Sequence, residues 1–396
     1  MAWSDPPRRD LRLLELTLTS RCNLSCEYCY RSRGPEGSLE WATAKAALDL
    51  LLASERPAVV LSLLGGEPLL EFELVDRILG YVESRRRRTQ AVTVKLTTNG
   101  LLLDEAVAEL LARHRVRTQI SFDGLPALQA RRGEGTFEAL QELLCELRSR
   151  HRRFWTQHVG TTMTVSPASV AQLPSAVRAT LALGVHRVEL SPDLRSTICW
   201  DASRFGELQA AFHEIAAIAV EHFHATGDMP IPVLRPRQGP GGGGCGAPSG
   251  EAIAVDVDGQ AYGCAGFAPA ALGIVAPATR RQLEPLRLGP LLDPSFQQRL
   301  ARYPGLAGRL ELFRSAARTG SALARCSTCP ARRECGICPL VLGRDGEEGS
   351  VPDFLCGFEL AAASARDSVA RSLRGTRLLL GMGVPPVLRR LERRAG

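Results

Sequence analysis

Strand-like and helix-like segments alternate through the first half of the sequence, and this repeat constrains the fold more than any other feature. Short β-rich apolar runs and longer amphipathic stretches follow one another six times. This series predicts an α/β fold in which a parallel sheet curls into a partial (β/α)6 barrel of the TIM type. The predicted strands are Leu13–Thr19, Ala58–Leu64, Val92–Thr97, Arg117–Phe122, Val159–Val165 and Arg187–Leu190, and the predicted helices are Ser38–Ala53, Leu70–Arg86, Asp104–His114, Gly135–Arg150 and Leu173–Leu183. Ser38 is the expected N-cap of the first helix.

The second half of the chain has a different organisation. Ala202–Thr226 has apolar residues at helical spacing and is predicted to be one long helix. Gly239–Gly244 is glycine-rich, which indicates a linker or a tight turn. Beyond it the segments are short, and a last helix is predicted over Leu360–Leu373. We expect a barrel over residues 1–200, a bridging helix and linker over 201–244, a cysteine-rich domain over 245–360, and a helix with a basic tail over 361–396.

Composition excludes a disordered or membrane-spanning chain. The sequence has 396 residues, of which 45% are hydrophobic and 23% are charged, as in folded globular proteins. The first ten residues have no apolar run of the signal-peptide kind, and the longest apolar stretches have strand length. We therefore expect a cytoplasmic protein without a membrane partner.

The formal net charge is +7, and the positive charge is almost entirely arginine. Only Lys45 and Lys95 are lysines among the 49 Lys and Arg residues, which a codon bias toward arginine would explain. The basic runs Arg85–Arg88 and Arg389–Arg394 could contact nucleic acid or an acidic peptide. They carry no aromatic residues on which bases could stack, so we expect solvated surfaces and no nucleic-acid partner.

Twelve cysteines are many for a protein of a reducing compartment, where spaced cysteines indicate metal binding or catalysis before disulfides. Three lie between Cys22 and Cys29, and seven lie between Cys245 and Cys356. Cys145 and Cys199 stand apart from these groups, and we expect them to be structural thiols.

The first cysteine group is a C-x3-C-x2-C loop after the first predicted strand. Cys22, Cys26 and Cys29 can hold three irons of a 4Fe–4S cube and leave the fourth iron open to a small chelating molecule. A zinc site with a distant fourth ligand is the alternative. Zinc modules usually pair their cysteines as two C-x2-C elements, which this loop does not have.

This loop, in its position after the first strand of a βα repeat, resembles the cluster motif of the radical S-adenosylmethionine (SAM) superfamily. Tyr28, an aromatic residue before the third cysteine, also fits that pattern. The resemblance implies that SAM chelates the open iron and is cleaved to methionine and a 5′-deoxyadenosyl radical, which abstracts a hydrogen atom from a substrate. Gly65-Gly66-Glu67-Pro68 resembles the family element that hydrogen-bonds the methionine amino group of SAM, and the glycines allow close backbone approach.

Further candidates for SAM contacts follow the third and fourth predicted strands, at positions that face SAM or substrate in similar enzymes. The resemblance implies polar contacts from Asn99, Ser121 and Asp123, and a carboxylate clamp from Arg132. The alternative is turn chemistry, since Asn-Gly and Asp-Gly are common turn formers.

The second cysteine group resembles the SPASM domain, an extension that a subgroup of radical SAM enzymes carries. A zinc ribbon is disfavoured because only five residues separate its two C-x2-C pairs. The resemblance implies two auxiliary iron–sulfur clusters. One would be ligated by Cys326, Cys329, Cys335 and Cys356, and the other by Cys245, Cys264 and Cys338 without a clear fourth cysteine. The spacing before Cys338 departs from the family pattern by one residue. A fully cysteine-ligated cluster suggests electron transfer.

Enzymes of this architecture mostly modify ribosomally made peptides by crosslinking or oxidation. The implied partners are a precursor peptide and an electron donor such as flavodoxin or ferredoxin. Because the first strand begins near Leu13, we expect either a separate leader-recognition protein or the SPASM surface itself to recruit the precursor. Sulfatase maturases resemble the chain overall but carry an aspartate base after the second SPASM cysteine, where this sequence has Ala265-Gly266-Phe267. Formylglycine formation is therefore disfavoured, and no catalytic acid or base is assigned. The alternatives are radical chemistry on a small metabolite or tetrapyrrole, and a non-enzymatic iron–sulfur or zinc scaffold.

Overall fold

The computed structural model describes residues 11–31, 36–194, 202–235, 249–272, 281, 284, 287–303, 329, 331, 335 and 353–373. Within these residues the strands form one nine-stranded sheet of order β6-β5-β4-β3-β2-β1-β7-β8-β9. The strands are β1 Leu13–Thr17, β2 Ala58–Leu64, β3 Ala91–Thr98, β4 Arg117–Ser121, β5 Val159–Val165, β6 Val188–Pro192, β7 Ala252–Val255, β8 Gln260–Tyr262 and β9 Arg287–Pro290.

Helices connect the parallel strands and continue into the C-terminal part of the chain. They are α1 Trp41–Leu52, α2 Phe72–Arg85, α3 Glu105–Arg113, α4 Pro126–Gln129, α5 Thr136–Arg150, α6 Arg152–His158, α7 Leu173–Ala182, α8 Ala202–Thr226, α9 Pro269–Leu272 and α10 Asp353–Ser372. Residues 296–303 are also helical. Among the described residues, no helix combines the length and apolarity that a membrane crossing requires.

The first six strands are all parallel and leave the sheet unclosed, which confirms the predicted partial barrel. The alternation of side chains along each strand explains how helices cover one face of the sheet, because successive residues of a strand point to opposite faces. Leu14, Leu61 and Leu96 are fully buried and belong to the hydrophobic core that also includes the helices. The intervening positions, such as Ser62 and Lys95, are half-buried or exposed and face the concave side.

The sheet does not stop at the barrel, because β1 also pairs in parallel with β7. The register runs from Leu13 opposite Ala252 to Leu16 opposite Val255. Strands β8 and β9 then add antiparallel neighbours to β7. The strand next to the first cysteine loop is thus hydrogen-bonded directly to the strand that leads into the second cysteine region.

Several predicted boundaries agree with the structure, and the N-cap does not. β2, β5 and α8 have the predicted bounds. Ser38 is not an N-cap: α1 begins at Trp41 after Glu40, and the Ser38 hydroxyl instead donates to Glu71 Oε1 at 2.5 Å. The predicted linker 239–244 and the basic tail lie outside the described residues.

Helix α10 begins at Asp353, ahead of the predicted start at Leu360, so Cys356 lies in its first turn. The helix packs against α8, where the rings of Phe212 and Phe358 meet edge to face at 5.2 Å between centroids. Ser364 and His213 form a hydrogen bond of 2.9 Å across the same interface. Helix α8 therefore fixes the helix that carries Cys356.

Candidate functional site

The first cysteine loop leaves the carboxyl end of β1 and packs against loops from three neighbouring strands. Cys22 and Cys29 are exposed and Cys26 is half-buried. The Cys29 amide donates to the Cys26 carbonyl at 3.2 Å, which closes a turn between these two cysteines. Burial raises the pKa of the Cys22 thiol and raises that of the Cys26 thiol to about 11, and the charge of Arg132 opposes the shift at Cys26.

Two glycines at the end of β2 allow this loop to lie against the sheet. The Gly66 amide donates to the Thr19 carbonyl and the Glu67 amide to the Arg21 carbonyl, each at 2.8 Å. A Cβ atom on Gly66 would lie 2.1 Å from the Arg21 carbonyl oxygen, and one on Gly65 would lie 2.8 Å from that of Thr19. Neither position has room for a side chain, so glycine is the residue that permits this approach.

The Glu67 side chain is fully buried and points into the protein. Its carboxylate accepts hydrogen bonds from the Thr98 hydroxyl and the Asn99 amide, each at 2.7 Å, and from the Leu69 amide at 3.0 Å. Burial raises the pKa of this carboxyl, and the hydrogen bonds from Asn99, Thr98 and Leu69 oppose the rise. Pro68 is also buried and starts the short 3-10 turn after Glu67. Glu67 therefore joins the ends of β2 and β3.

Asn99 connects the end of β3 to the cysteine loop. Its Nδ2 donates to Asn23 Oδ1 at 2.7 Å and lies 4.0 Å from Cys22 Sγ, while its Oδ1 accepts from the Leu101 amide at 3.0 Å. Gly100 follows with a φ of +85°, a left-handed conformation suited to glycine. The predicted turn chemistry therefore occurs at Asn99, and the same side chain contacts the cysteine loop.

Asp123, Arg132 and Tyr28 form one buried network beneath the loop. Arg132 donates from Nε to Asp123 Oδ2 at 2.8 Å and from Nη2 to Asp123 Oδ1 at 3.0 Å. The Tyr28 hydroxyl donates to Asp123 Oδ2, and the Thr164 amide donates to Asp123 Oδ1 at 2.8 Å. Burial raises the pKa of Tyr28, so its hydroxyl is protonated and available as this donor. Arg132 therefore clamps a carboxylate of the protein itself.

Ser121 is the last residue of β4 and is half-buried at the same end of the sheet. Residues that the sequence analysis missed complete the site. Gln129 is fully buried and accepts from the Asp123 amide at 2.8 Å. Glu15 lies on β1, and its Oε2 accepts from the Ala265 amide at 2.9 Å. An acidic residue within the otherwise uncharged strand Leu13–Thr17 was the signal that could have identified Glu15.

The second cysteine group is only partly described. Cys264 is half-buried after β8, and its sulfur accepts from the Gly266 amide at 3.4 Å. Cys329 and Cys335 are half-buried and Cys356 is buried. Cys245, Cys326 and Cys338 lie outside the described residues. Within the described residues, no three His, Cys, Asp or Glu side chains form a site for a single metal ion.

The first loop has the chemistry that a three-cysteine cluster site needs. Its donor set is three thiols within eight residues, the ligand type that iron–sulfur clusters take. Exposure of Cys22 and Cys29 leaves their sulfurs accessible. Backbone hydrogen bonds from Gly66 and Glu67 brace the loop, and Asn99 Nδ2 approaches Cys22 Sγ at 4.0 Å. Cys22, Cys26 and Cys29 therefore fit a 4Fe–4S cluster held by three cysteines.

Comparison with known proteins identifies the domain that carries this loop. The model of the Radical SAM superfamily matches residues 16–167. An uncharacterised protein of Methanocaldococcus jannaschii is 34% identical over 115 residues, which are 29% of this chain and 40% of that protein. A GTP 3′,8-cyclase of Corynebacterium glutamicum is 39% identical over 127 residues, 30% of this chain and 32% of that protein. The matches thus span two fifths or less of these relatives' own length.

Solved structures match over most of the chain at low identity. anSMEcpe with bound AdoMet and the Kp18Cys peptide has a TM-score of 0.68 and 16% identity, and the match covers 92% of this chain and 98% of that one. Streptococcus suis SuiB bound to its precursor peptide SuiA has a TM-score of 0.58 and 16% identity, and the match covers 89% of this chain and 76% of that one. At these identities the likeness is one of fold. Residues 16–167 match the Radical SAM superfamily model, and a match to this family implies a 4Fe–4S cluster and SAM.

Proposed function

We propose that this chain is a radical SAM enzyme that modifies a ribosomally made peptide by crosslinking it or oxidising a side chain. The observation that carries the proposal is the match of fold over nine-tenths of the chain to anSMEcpe, which was crystallised with a peptide, and over a similar share to SuiB with its precursor peptide. The proposal assigns the radical chemistry to the domain at residues 16–167 and the peptide to its concave face.

Cys22, Cys26 and Cys29 would hold the SAM-binding 4Fe–4S cluster. When bound, cluster and SAM supply a one-electron cleavage that releases a 5′-deoxyadenosyl radical, which takes a hydrogen atom from the substrate. The protein's part is to hold the loop rigidly and to orient SAM. Gly65 and Gly66 let the end of β2 meet the loop, and Glu67 with Pro68 fixes that turn against β3.

The polar residues at the strand ends divide into two groups. Asn99 and Ser121 lie at the ends of β3 and β4, and we propose that they contact SAM. The polar atoms of Tyr28, Asp123 and Arg132 are bonded mainly to one another. We therefore assign these three residues to positioning the loop between Cys26 and Cys29 rather than to clamping the SAM carboxylate.

The second cysteine group would hold two auxiliary clusters, with Cys326, Cys329, Cys335 and Cys356 on one and Cys245, Cys264 and Cys338 on the other. These clusters would accept or relay an electron. The pairing of β1 with β7 supports treating the barrel and the cysteine-rich region as one working unit. The precursor would be recruited by a separate recognition protein or by the cysteine-rich surface, and a flavodoxin or ferredoxin would reduce the enzyme.

A second candidate is radical chemistry on a small molecule. It is favoured by the matches to GTP 3′,8-cyclases, which reach 39% identity within about a third of this chain. Those matches cover the domain common to the superfamily, whereas the peptide-bound structures match the cysteine-rich half as well. We therefore prefer the peptide.

The experiment has two stages. Anaerobically reconstituted protein with dithionite and SAM should release 5′-deoxyadenosine, and Cys26→Ala should abolish the release. Cys145→Ala is the matched control, because Cys145 is an exposed cysteine on α5 outside both groups. Co-expression with short peptides encoded beside the gene, read by mass spectrometry, then tests the substrate. Conversion of added GTP to a product of different mass, with no change in the mass of any peptide, would favour the second candidate.

A further inference from the structure

A row of polar residues crosses the concave face of the barrel below the cysteine loop. The register places Glu15 opposite Ser62, Ser62 opposite Lys95, and Lys95 opposite Arg117 on strands β1 to β4. Paired positions on parallel neighbours lie about 5 Å apart and point to the same face. The four side chains therefore form a continuous line across the interior of the partial barrel.

The row carries more positive than negative charge, because it contains Lys95 and Arg117 but one acid, Glu15. Lys95 and Arg117 are like charges on directly paired positions, an arrangement that destabilises a sheet when nothing compensates it. Within the described part of the chain, neither side chain has a carboxylate within ion-pair distance. Arg187, just before β6, and Arg12, just before β1, also lie close enough to act on Lys95, and Arg12 is paired with Glu251 at 3.4 Å. Two acids lie nearby: Glu189 is paired with Arg187 at 3.2 Å, and Glu15 acts electrostatically on Lys95 while its carboxylate accepts from the Ala265 amide at 2.9 Å.

Lys95 also stands out in the sequence, being one of two lysines in a chain that otherwise uses arginine. The other, Lys45, has an ordinary role on the surface of α1, where it pairs with Asp49 at 2.7 Å. Burial, Arg117 and Arg187 lower the pKa of Lys95, as expected for a cation crowded by like charges. An anion bound between Lys95 and Arg117 would reduce this repulsion.

We propose that Lys95 and Arg117, supported by Arg187 and Arg12, form a site on the concave face that binds carboxylates of an acidic segment of the peptide substrate. The inference rests on the proposed function and names the class of peptide. Phosphate groups are usually held by backbone amides of glycine-rich turns or helix N-termini. This site consists instead of side chains spread over neighbouring strands, which suits separate carboxylates along an extended peptide.

The distance to the cysteine loop sets where the peptide would be modified. Lys95 precedes Asn99 by four residues on the same strand, or about 13 Å at ~3.3 Å per residue. Asn99 Nδ2 lies 4.0 Å from Cys22 Sγ. An extended peptide anchored by a carboxylate at Lys95 would bring a residue roughly four positions away to the radical site. The modified residue is therefore expected about four positions from an acidic one.

Binding of a fluorescein-labelled hexaglutamate peptide to the purified full-length protein tests the site by fluorescence anisotropy. Lys95→Gln together with Arg117→Gln should weaken binding about tenfold at low salt, and the difference should shrink in high salt because screening weakens the attraction. Lys45→Gln together with Arg178→Gln is the matched control, because it removes two positive charges from the outer surface, where these residues pair with Asp49 and Glu221. Circular dichroism melting verifies that each variant is folded.

Unchanged affinity in the folded Lys95→Gln, Arg117→Gln variant would overturn the proposal, as would an equal loss of affinity in the control variant. GTP that binds through Lys95 and Arg117 more tightly than hexaglutamate would also overturn the assignment to an acidic peptide. The two experiments distinguish a failure of the proposed function from a failure of the acidic-peptide site. Wild-type protein that binds hexaglutamate through this row but releases no 5′-deoxyadenosine would contradict the proposed function alone, and the reverse result would contradict this inference alone.

Discussion

Arg132 binds both carboxylate oxygens of Asp123, through Nε at 2.8 Å and Nη2 at 3.0 Å, in the interior beneath the first cysteine loop. Planar guanidinium and carboxylate groups match in this geometry, which makes it one of the strongest polar contacts available to a protein. Tyr28, between Cys26 and Cys29, bonds to the same carboxylate. The ion pair therefore serves as an anchor for the loop that carries the cysteines.

Replacing Arg132 by Met should destabilise the protein by about 3–5 kcal/mol, because Asp123 would keep a buried charge without its partner. Urea unfolding of the metal-free protein under anaerobic conditions measures the free energy of unfolding. Arg178→Met removes an exposed pair with Glu221 and should cost less than about 1 kcal/mol. Similar losses in the two variants would contradict the assignment of a buried anchor.

Gly66→Ala should disturb the cysteine loop, because the new methyl group would meet the Arg21 carbonyl at 2.1 Å. We expect a loss of about 1–3 kcal/mol from this overpacking, and less iron bound per chain after reconstitution. Gly80→Ala is the control: Gly80 lies in α2 with no atom within 4 Å of its Cβ position, and the change should stabilise that helix by about 1 kcal/mol. Iron content equal to wild type in Gly66→Ala would refute the prediction.

Lys95→Gln should make the metal-free protein slightly more stable at pH 7, by less than about 1 kcal/mol for this partly exposed group. The folded protein lowers the pKa of Lys95, so its protonation opposes folding. The gain should disappear as the pH rises through the folded pKa toward the unfolded value of about 10.4, where wild type loses the same charge. Chemical denaturation at pH 7 and pH 10 measures the change.

Lys45→Gln should behave with the opposite sign in the same assay. The hydrogen bond with Asp49 raises the pKa of Lys45, so the charged form supports folding, and its removal should not stabilise the protein at pH 7. A stability gain of the same size in both lysine variants would show that the effect is not specific to the concave face.

Phe358→Ala should loosen α10 from α8 and cost about 3–5 kcal/mol, because a buried ring in contact with Phe212 is lost. Cys356 lies less than one turn before Phe358 on the same helix. The iron bound per chain by the second cysteine group should therefore fall, and the iron bound by the first group should not change. Comparing the iron content of Phe358→Ala with that of a variant lacking Cys22, Cys26 and Cys29 separates the two contributions. Equal loss from both groups would argue against this reading.

Local patterns were sufficient to predict the barrel, because β2 and β5 are short β-rich runs and α8 has apolar residues at helical spacing. The N-cap at Ser38 was wrong because the Ser38 hydroxyl is taken by Glu71, a residue 33 positions away. The pairing of β1 with β7 joins residues more than 200 positions apart, and no local pattern encodes such a contact. Long-range pairing is chosen by burial of the whole sheet.

The candidate site was likewise predictable from the sequence only in part. The motif spacing identified the cysteine loop and the glycines at its border. It could not reveal that the Glu67 carboxylate turns inward to Thr98, or that Asp123 and Arg132 satisfy each other. Which polar groups pair in a crowded interior depends on distances that only the folded chain fixes. Gln129 was missed for this reason, since a glutamine in a short helix has no distinguishing spacing.

Strand β1 has hydrogen-bonded neighbours on both sides, β2 in the barrel and β7 toward the cysteine-rich region. A hinge between the two regions along this seam would have to break the ladder from Leu13–Ala252 to Leu16–Val255, and would also pull Ala265 from Glu15. The spacing between the Cys22 loop and the Cys264 turn is therefore fixed by backbone hydrogen bonds along β1, β7 and β8, and a change in that spacing would require those bonds to break.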